Sequence, residues 1–178
     1  MAKEVKADTV VTIREAQTDD LEAIWPLVQA FRDEHGEMLG AGIRSTREQA
    51  IEEARSNLES ASAGYILAFD SGQRVVGFRR WELHEGFYFT RELYVVPDMR
   101  RRDVARRLIR FFEQWLLDKG QDIACISTVP ANRRMIELAR SEGYDVLNMV
   151  ELRKDLIPSD RKRTEVDALG WKWRISQA

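Results

Sequence analysis

The apolar positions of this chain alternate between strand-like and helix-like periods, and their order predicts the architecture. Val10 to Arg14 reads as a short first strand. Thr18-Asp19-Asp20 then opens a helical pattern in which Leu21, Ile24, Leu27, Val28 and Phe31 recur three and four residues apart, on one helix face. Acidic residues in that first turn suit the positive end of the helix dipole. Pro26 lies too far inside to be a first-turn proline and predicts a kink near Ala23 to Pro26. Gly36 to Ser45 reads as a loop, and a very polar helix follows from about Thr46 to Leu58. Gly64 to Phe69 and Arg74 to Leu83 predict two strands joined at Asp70-Ser71-Gly72-Gln73, a hairpin signal. Gly86 to Val96 is a third strand, closed by Pro97.

Arg100 to Lys119 is the strongest helix, with Val104, Leu108, Phe111, Phe112 and Trp115 in one apolar stripe and Gly120 as its C-terminal cap. Ile123 to Val129 reads as a strand, Ala131 to Ser141 as a helix and Tyr144 to Leu152 as a strand. The order βααβββαβαβ is that of a mixed α/β (α+β) domain spanning 9–157. An extension, 158–178, holds the charged run Ser159 to Arg163 and the alternating stretch Gly170 to Ile175, which predicts one added strand or a dimer contact. Trp171 and Trp173 there are a pair suited to docking on another surface.

Composition narrows the class. The 178 residues suffice for one domain with a proper core. With 44% hydrophobic and 33% charged residues the chain is neither a disordered tract nor a membrane protein, and its apolar runs are too short to span a bilayer. Met1 to Lys6 lacks the apolar stretch of a signal peptide. A net charge of −2 gives no global pull toward nucleic acid. The one cysteine, Cys125, excludes an internal disulfide and fits a reducing, cytoplasmic setting. Only two histidines, His35 and His84, argue against a histidine-based metal cluster.

The chemistry concentrates in Glu92 to Leu108. A strand runs into an arginine-rich turn and a long helix starts at once. The unpaired N–H groups of a first helical turn, with the dipole behind them, make an anion site, and guanidinium groups suit phosphate geometry. A basic helix start resting in solvent is the plainer alternative.

This stretch resembles motif A of the GNAT (Gcn5-related) N-acetyltransferase superfamily. There, a strand ending in Leu-x-Val-x-Pro leads to Arg-x-x-Gly-x-Gly/Ala at a helix start. Leu93-Tyr94-Val95-Val96-Pro97 and Arg100-Arg101-Arg102-Asp103-Val104-Ala105 fall on that pattern in register. Asn132 through Gly143-Tyr144 resembles motif B. The resemblance covers residues 10–153 and implies a central, mostly antiparallel mixed sheet flanked by helices, with acetyl-CoA as co-substrate and no metal. It implies that the backbone at Leu93 and Val95 pairs with the pantetheine arm. Arg100, Arg101, Arg102, Asp103, Val104 and Ala105 would hold the pyrophosphate, with Asn132 as a further cofactor residue. An amine acceptor attacks the thioester directly, helped by a base and an acid.

Two departures matter. Asp103 stands where the motif has its first glycine, beside the expected pyrophosphate. Ala139 stands where motif B often has a tyrosine acid, and alanine donates no proton. For the base, strand parity predicts that Leu93 and Val95 face the following helix and that Tyr88, Thr90, Glu92 and Tyr94 face the acceptor side. Glu92 is the candidate base and Tyr94 a pocket-lining or proton-donating residue. Glu82 and His84 are alternatives for the base, and a plain ion pair with a neighbouring arginine also accounts for Glu92. Glu48, Glu52 and Glu53 on the polar helix hint at a cationic acceptor, and a solvated helix face explains them equally well.

Three functions compete. The first is an acetyl-CoA-dependent N-acetyltransferase acting on a primary amine of a small molecule or protein. The second is a catalytically weak or inactive acyl-CoA-binding regulatory protein, which Asp103 and Ala139 support. The third is nucleic-acid binding through the six arginines between Arg100 and Arg110, disfavoured by the acidic balance and by the apolar stripe on that same helix.

Overall fold

The computed structural model describes residues 11–40, 44–157 and 162–176. Contacts divide the chain into two compact units, residues 1–31 with 45–127 and residues 32–44 with 128–178.

The first unit is a five-stranded sheet with helices on both faces. Its strands are β1 (Thr12–Glu15), β2 (Ala63–Phe69), β3 (Val75–His84), β4 (Phe87–Val95) and β5 (Cys125–Ile126), in spatial order β1-β2-β3-β4-β5. All neighbours pair antiparallel except β4 and β5, which are parallel. The predicted hairpin turn forms at Asp70, whose Oδ1 accepts from the Gly72 and Arg74 amides. Alternation along β2 sorts the core. Ile66 and Ala68 face one side with Val76, Val95 and the stripe of α3 (Val104–Asp118), namely Val104, Leu108, Phe112 and Trp115. Tyr65, Leu67 and Phe69 face the other side with Phe78 and Tyr94, against Ile24 and Val28 of α1 (Leu21–Met38) and Ala50 and Ala54 of α2 (Arg47–Glu59).

Local chemistry sets the helix ends. A single 3₁₀ turn, Thr18–Asp20, precedes α1, and Asp20 closes it by accepting from the Gln17 amide at 2.7 Å while Arg14 grips the same carboxylate with two bonds of 2.7 and 2.8 Å. These partners, the Arg14 bond foremost, hold the Asp20 carboxyl below the usual carboxylate range despite partial burial. Thr46 and Gln49 form a reciprocal capping box at α2. Gly120, at φ +76°, follows α3 as expected.

In the second unit α4 spans Arg133–Ser141, and β6 (Arg163–Ala168) pairs antiparallel with β7 (Trp171–Ser176). The extension thus forms a complete hairpin where the sequence predicts one strand. Glu165 lies opposite Arg174 and Asp167 opposite Lys172, while Val166 lies opposite Trp173 and Ala168 opposite Trp171. Residues opposite one another share a face, so the ribbon is charged on one side and apolar on the other.

Four expectations are corrected. α1 continues through Gly36 to Met38, so the predicted loop begins later, and residues 41–43 lie outside the described residues. α3 begins at Val104 rather than Arg100, because Arg101 (φ 59°) and Asp103 (φ 65°) are left-handed and cannot belong to a right-handed helix. Ile123 to Val129 pairs only at Cys125 and Ile126. Tyr144 to Leu152 forms no strand, and Val146, Leu147, Met149, Val150 and Leu152 are exposed. An alternating pattern becomes a strand only where a neighbouring edge receives it.

Candidate active site

The candidate site is built where β4 runs into α3. Val96 N donates to Val76 O at 3.0 Å, toward β3. Backbone groups alternate sides along a strand, so those of Leu93 and Val95 point to the opposite edge. β5 pairs with that edge only at Phe89 and Thr90, extended by Ser127 N donating to Thr90 O at 3.0 Å. The strands therefore part just before Leu93 and Val95. Arg100 bends back to close the end of this slot, donating from Nε to Val95 O at 2.8 Å with its guanidinium 5.4 Å from the Tyr94 ring centre. Arg100 is thus placed on the strand end rather than among the turn's amides.

The turn itself carries a left-handed residue at Arg101 and another at Asp103, with Arg102 between them. Successive amides in such a sequence point into one concavity, which suits an anion. The first helical bond runs from Arg107 N to Asp103 O at 3.0 Å, and Asp103 makes no side-chain cap, so the amides of Asp103, Val104, Ala105 and Arg106 open the helix. The Asp103 carboxylate turns to Arg106, with Oδ1 3.6 Å from Nε, and both side chains are about half exposed. Its left-handed φ gives a conformational reason for glycine in the pattern this turn resembles; aspartate tolerates it better than most residues. Arg74 steadies the turn from below, bridging Asp70 at 3.1 Å and Asp98 at 2.7 Å.

Beside the slot lies a charge ladder of which the sequence suggests only one rung, the pairing of Glu92 with a neighbouring arginine. Glu92, 4% exposed, pairs with Arg80 at 3.0 Å. Arg80 also meets Glu82 at 3.3 Å and Asn57 of α2 at 3.4 Å, and Glu82 meets Arg91 at 3.3 Å. Tyr65 completes the cluster, taking a bond from Asn57 at 3.1 Å. Burial, and then the charge of Glu92, push the Tyr65 hydroxyl well above the ordinary tyrosine value, so it stays protonated. The available signal was the pair Arg79-Arg80 interrupting an otherwise apolar strand.

Parity holds for part of β4. Leu93 and Val95 pack with α3, while Tyr94 packs on the α1 face among Phe31 and Phe78. Tyr88 and Thr90 are corrected. Tyr88 packs on Trp115 of α3, and Thr90 bonds Arg79 on that same side. The reason is a bulge: Arg80 lies opposite Glu92 and Trp81 opposite Thr90, leaving Arg91 as an extra residue that inverts the faces before it. His84 is exposed at the far end of β3, 3.9 Å from Glu85. Cys125 sits on β5 with its thiol pushed up by burial, which disfavours the thiolate.

In the second unit Asn132 caps α4, its Oδ1 accepting from Met135 N at 3.1 Å. Gly143 (φ +94°) ends that helix, and Tyr144 N returns to Ala139 O at 3.1 Å. Among the described residues no three His, Cys, Asp or Glu side chains gather as a metal site, and no helix is long and apolar enough to cross a membrane.

A family model described as the acetyltransferase (GNAT) family matches residues 21–144. No curated protein matches the sequence. Among solved structures, the aminoglycoside N-acetyltransferase AAC(6')-Iy in complex with CoA is similar, with a TM-score of 0.68 and 18% identity over 86% of this chain and 99% of that one. A ribosomal-protein-alanine N-acetyltransferase from Brucella melitensis biovar Abortus 2308 aligns with a TM-score of 0.65 and 16% identity over 82% of this chain and 100% of its own. The aminoglycoside 6'-N-acetyltransferase AAC(6')-Ih from Acinetobacter baumannii gives 0.67 and 14%, over 84% and 100%. At these identities the likeness is one of fold.

Proposed function

The chain belongs to the GNAT acetyltransferase family, and from that premise we propose that it transfers the acetyl group of acetyl-CoA to a primary amine of a small molecule or protein. The observation that carries this reading is the junction of β4 and α3. An outward strand edge at Leu93 and Val95 leads within a few residues to a turn whose amides converge at the helix start. The edge accepts the amides of the pantetheine arm. The amides of Arg101, Arg102, Asp103, Val104 and Ala105 take the pyrophosphate, and Arg100 keeps the slot's end in place. Asn132 is proposed as a cofactor residue on the sequence resemblance alone.

In the proposed reaction the amine nitrogen forms a bond to the thioester carbonyl carbon, and the carbon–sulfur bond then breaks. The amine's proton passes to Glu92 through water, because Glu92 is buried and held by Arg80. The departing thiolate takes a proton from Tyr94 or from water, Ala139 being unable to supply one. The acidic face of α2, with Glu48, Glu52 and Glu53, suits a cationic acceptor. The names of two solved structures of this fold, both aminoglycoside N-acetyltransferases, support an acceptor of that kind.

A second reading, an acyl-CoA-binding regulatory protein with weak or no turnover, is favoured by Asp103 at the pyrophosphate turn and by the ion-paired state of Glu92. In both readings the protein acts in the cytoplasm, with 9–157 as the GNAT-like domain and 158–178 as an extension that dimerises through its apolar ribbon face.

Calorimetric titration with acetyl-CoA and CoA tests the cofactor, and thiol release across a panel of amines then separates the two readings. Binding with turnover supports the transferase, binding without it the regulator, and absence of binding overturns both.

A further inference from the structure

One buried charge has no place in the reaction above. Arg79 is fully buried on the α3 side of the sheet. Its Nη1 donates to the carbonyl of Ile109 in α3 at 3.3 Å, its Nη2 donates to the Thr90 hydroxyl, and its guanidinium lies 4.0 Å from the Phe112 ring centre. Thr90 is 2% exposed, is the last β4 residue before the bulged Arg91, and gives its carbonyl to Ser127 at the end of the β4–β5 ladder. One planar guanidinium thus joins the helix to the strand at the point where β4 and β5 part.

We propose that Arg79 is a positioning residue that sets the spacing between the two halves of the CoA site, the outward edge of β4 and the opening turn of α3. This rests on the CoA reading above. Apolar burial is non-directional, whereas a buried guanidinium must keep its acceptors in fixed directions. A ligand that engages both halves at once gains from their correct spacing, and a ligand that engages only one half does not.

The test compares CoA with adenosine 3′,5′-bisphosphate, which reaches only the helix half. Affinities of both are measured by calorimetry for the unsubstituted protein, Arg79→Met, Thr90→Val and Thr90→Ser, each below its melting temperature. In Arg79→Met and Thr90→Val the affinity for CoA falls by about tenfold while that for the bisphosphate stays within about twofold, because only the linked ligand senses the spacing. Thr90→Ser, which keeps the hydroxyl, returns the ratio toward that of the unsubstituted protein. Thr90→Val carries the test if Arg79→Met does not fold. Equal losses for both ligands, or an unmoved ratio in Thr90→Val, overturn the proposal. If the unsubstituted protein binds neither ligand, the CoA reading fails and this one falls with it.

Discussion

Asp103 gives the sharpest quantitative prediction, because its backbone and its charge can be separated by two substitutions. Asparagine keeps the tolerance for φ 65° and removes only the charge, whereas glycine removes both. The Asp103 side chain is 44% exposed, so the dielectric of water applies. A carboxylate about 5 Å from one phosphate then opposes binding by about 0.8 kcal/mol, or about fourfold in affinity. Arg106, 3.6 Å away, offsets part of this. Asp103→Asn is therefore expected to tighten CoA binding about two- to fourfold at low ionic strength. At about 0.3 M salt most of that gain disappears, since the screening length approaches the separation itself. Asp103→Gly relieves about 1 kcal/mol of left-handed strain. It also frees the unfolded chain by a similar amount and gives up an exposed helical ion pair of about 0.3–0.5 kcal/mol. Its melting temperature should stay within about 2 °C of the parent. The assay is calorimetric titration with CoA at two salt concentrations beside a thermal melt. Weaker binding by Asp103→Asn would refute the reasoning, because it would make the carboxylate a contact that helps the ligand. A gain that survives high salt would refute the electrostatic cause.

Three further outcomes follow from contacts already described. Glu92→Gln should cost about 1–3 kcal/mol of stability, since it removes the charge that balances the largely buried Arg80 although the amide oxygen can still accept from it. It should also lower thiol-release turnover about a hundredfold if the carboxylate carries the proton. Unchanged turnover would reassign Glu92 to structure alone. Asp20 titrates below the ordinary range because Arg14 and the Gln17 amide hold it ionised. Its contribution, about 1 kcal/mol for a partly exposed pair, is present above about pH 4 and is lost as the pH falls through the depressed value. Asp20→Asn should accordingly flatten the acid limb of a stability–pH curve measured by urea unfolding. A Cβ at Gly77 would lie 2.8 Å from the Tyr94 carbonyl and 3.3 Å from Val95, so Gly77→Ala should cost about 1–3 kcal/mol by overpacking and weaken CoA binding by displacing the strand edge, as a melt and a titration would show.

Most of the element order was legible because each segment is punctuated by its own chemistry. Asp70 and Gly72 make the hairpin, Thr46 and Gln49 start α2, and Gly120 follows α3. The helix at the candidate site was misplaced by four residues because Arg101, Arg102 and Asp103 are all compatible with a helix, and residue type alone does not announce a left-handed backbone outside glycine. The end of the chain was hardest. Tyr144 to Leu152 and Trp171 to Ser176 are both apolar enough for strands, but only the latter finds a partner, in β6. That choice is made by tertiary geometry rather than by the segment's own periodicity.

The bulge at Arg91 was hidden from a reading that counts alternate residues, yet polar satisfaction contains the reason for it. Arg79 and Arg80 are consecutive on β3 and so point to opposite faces. Both are largely or wholly buried, so each needs an acceptor on its own face. The partners on β4 are Thr90 and Glu92, which in a regular strand would lie on the same face. One extra residue between them puts the hydroxyl beneath α3 and the carboxylate toward α2, and Arg91 is that residue. The insertion that satisfies two buried cations therefore also leaves Glu92 and Tyr94 together on the α1–α2 face of the sheet while Thr90 turns to α3, and it lies where the β4–β5 ladder stops. The parity of Glu92 depends on Arg79 and Arg80 as much as on its own strand.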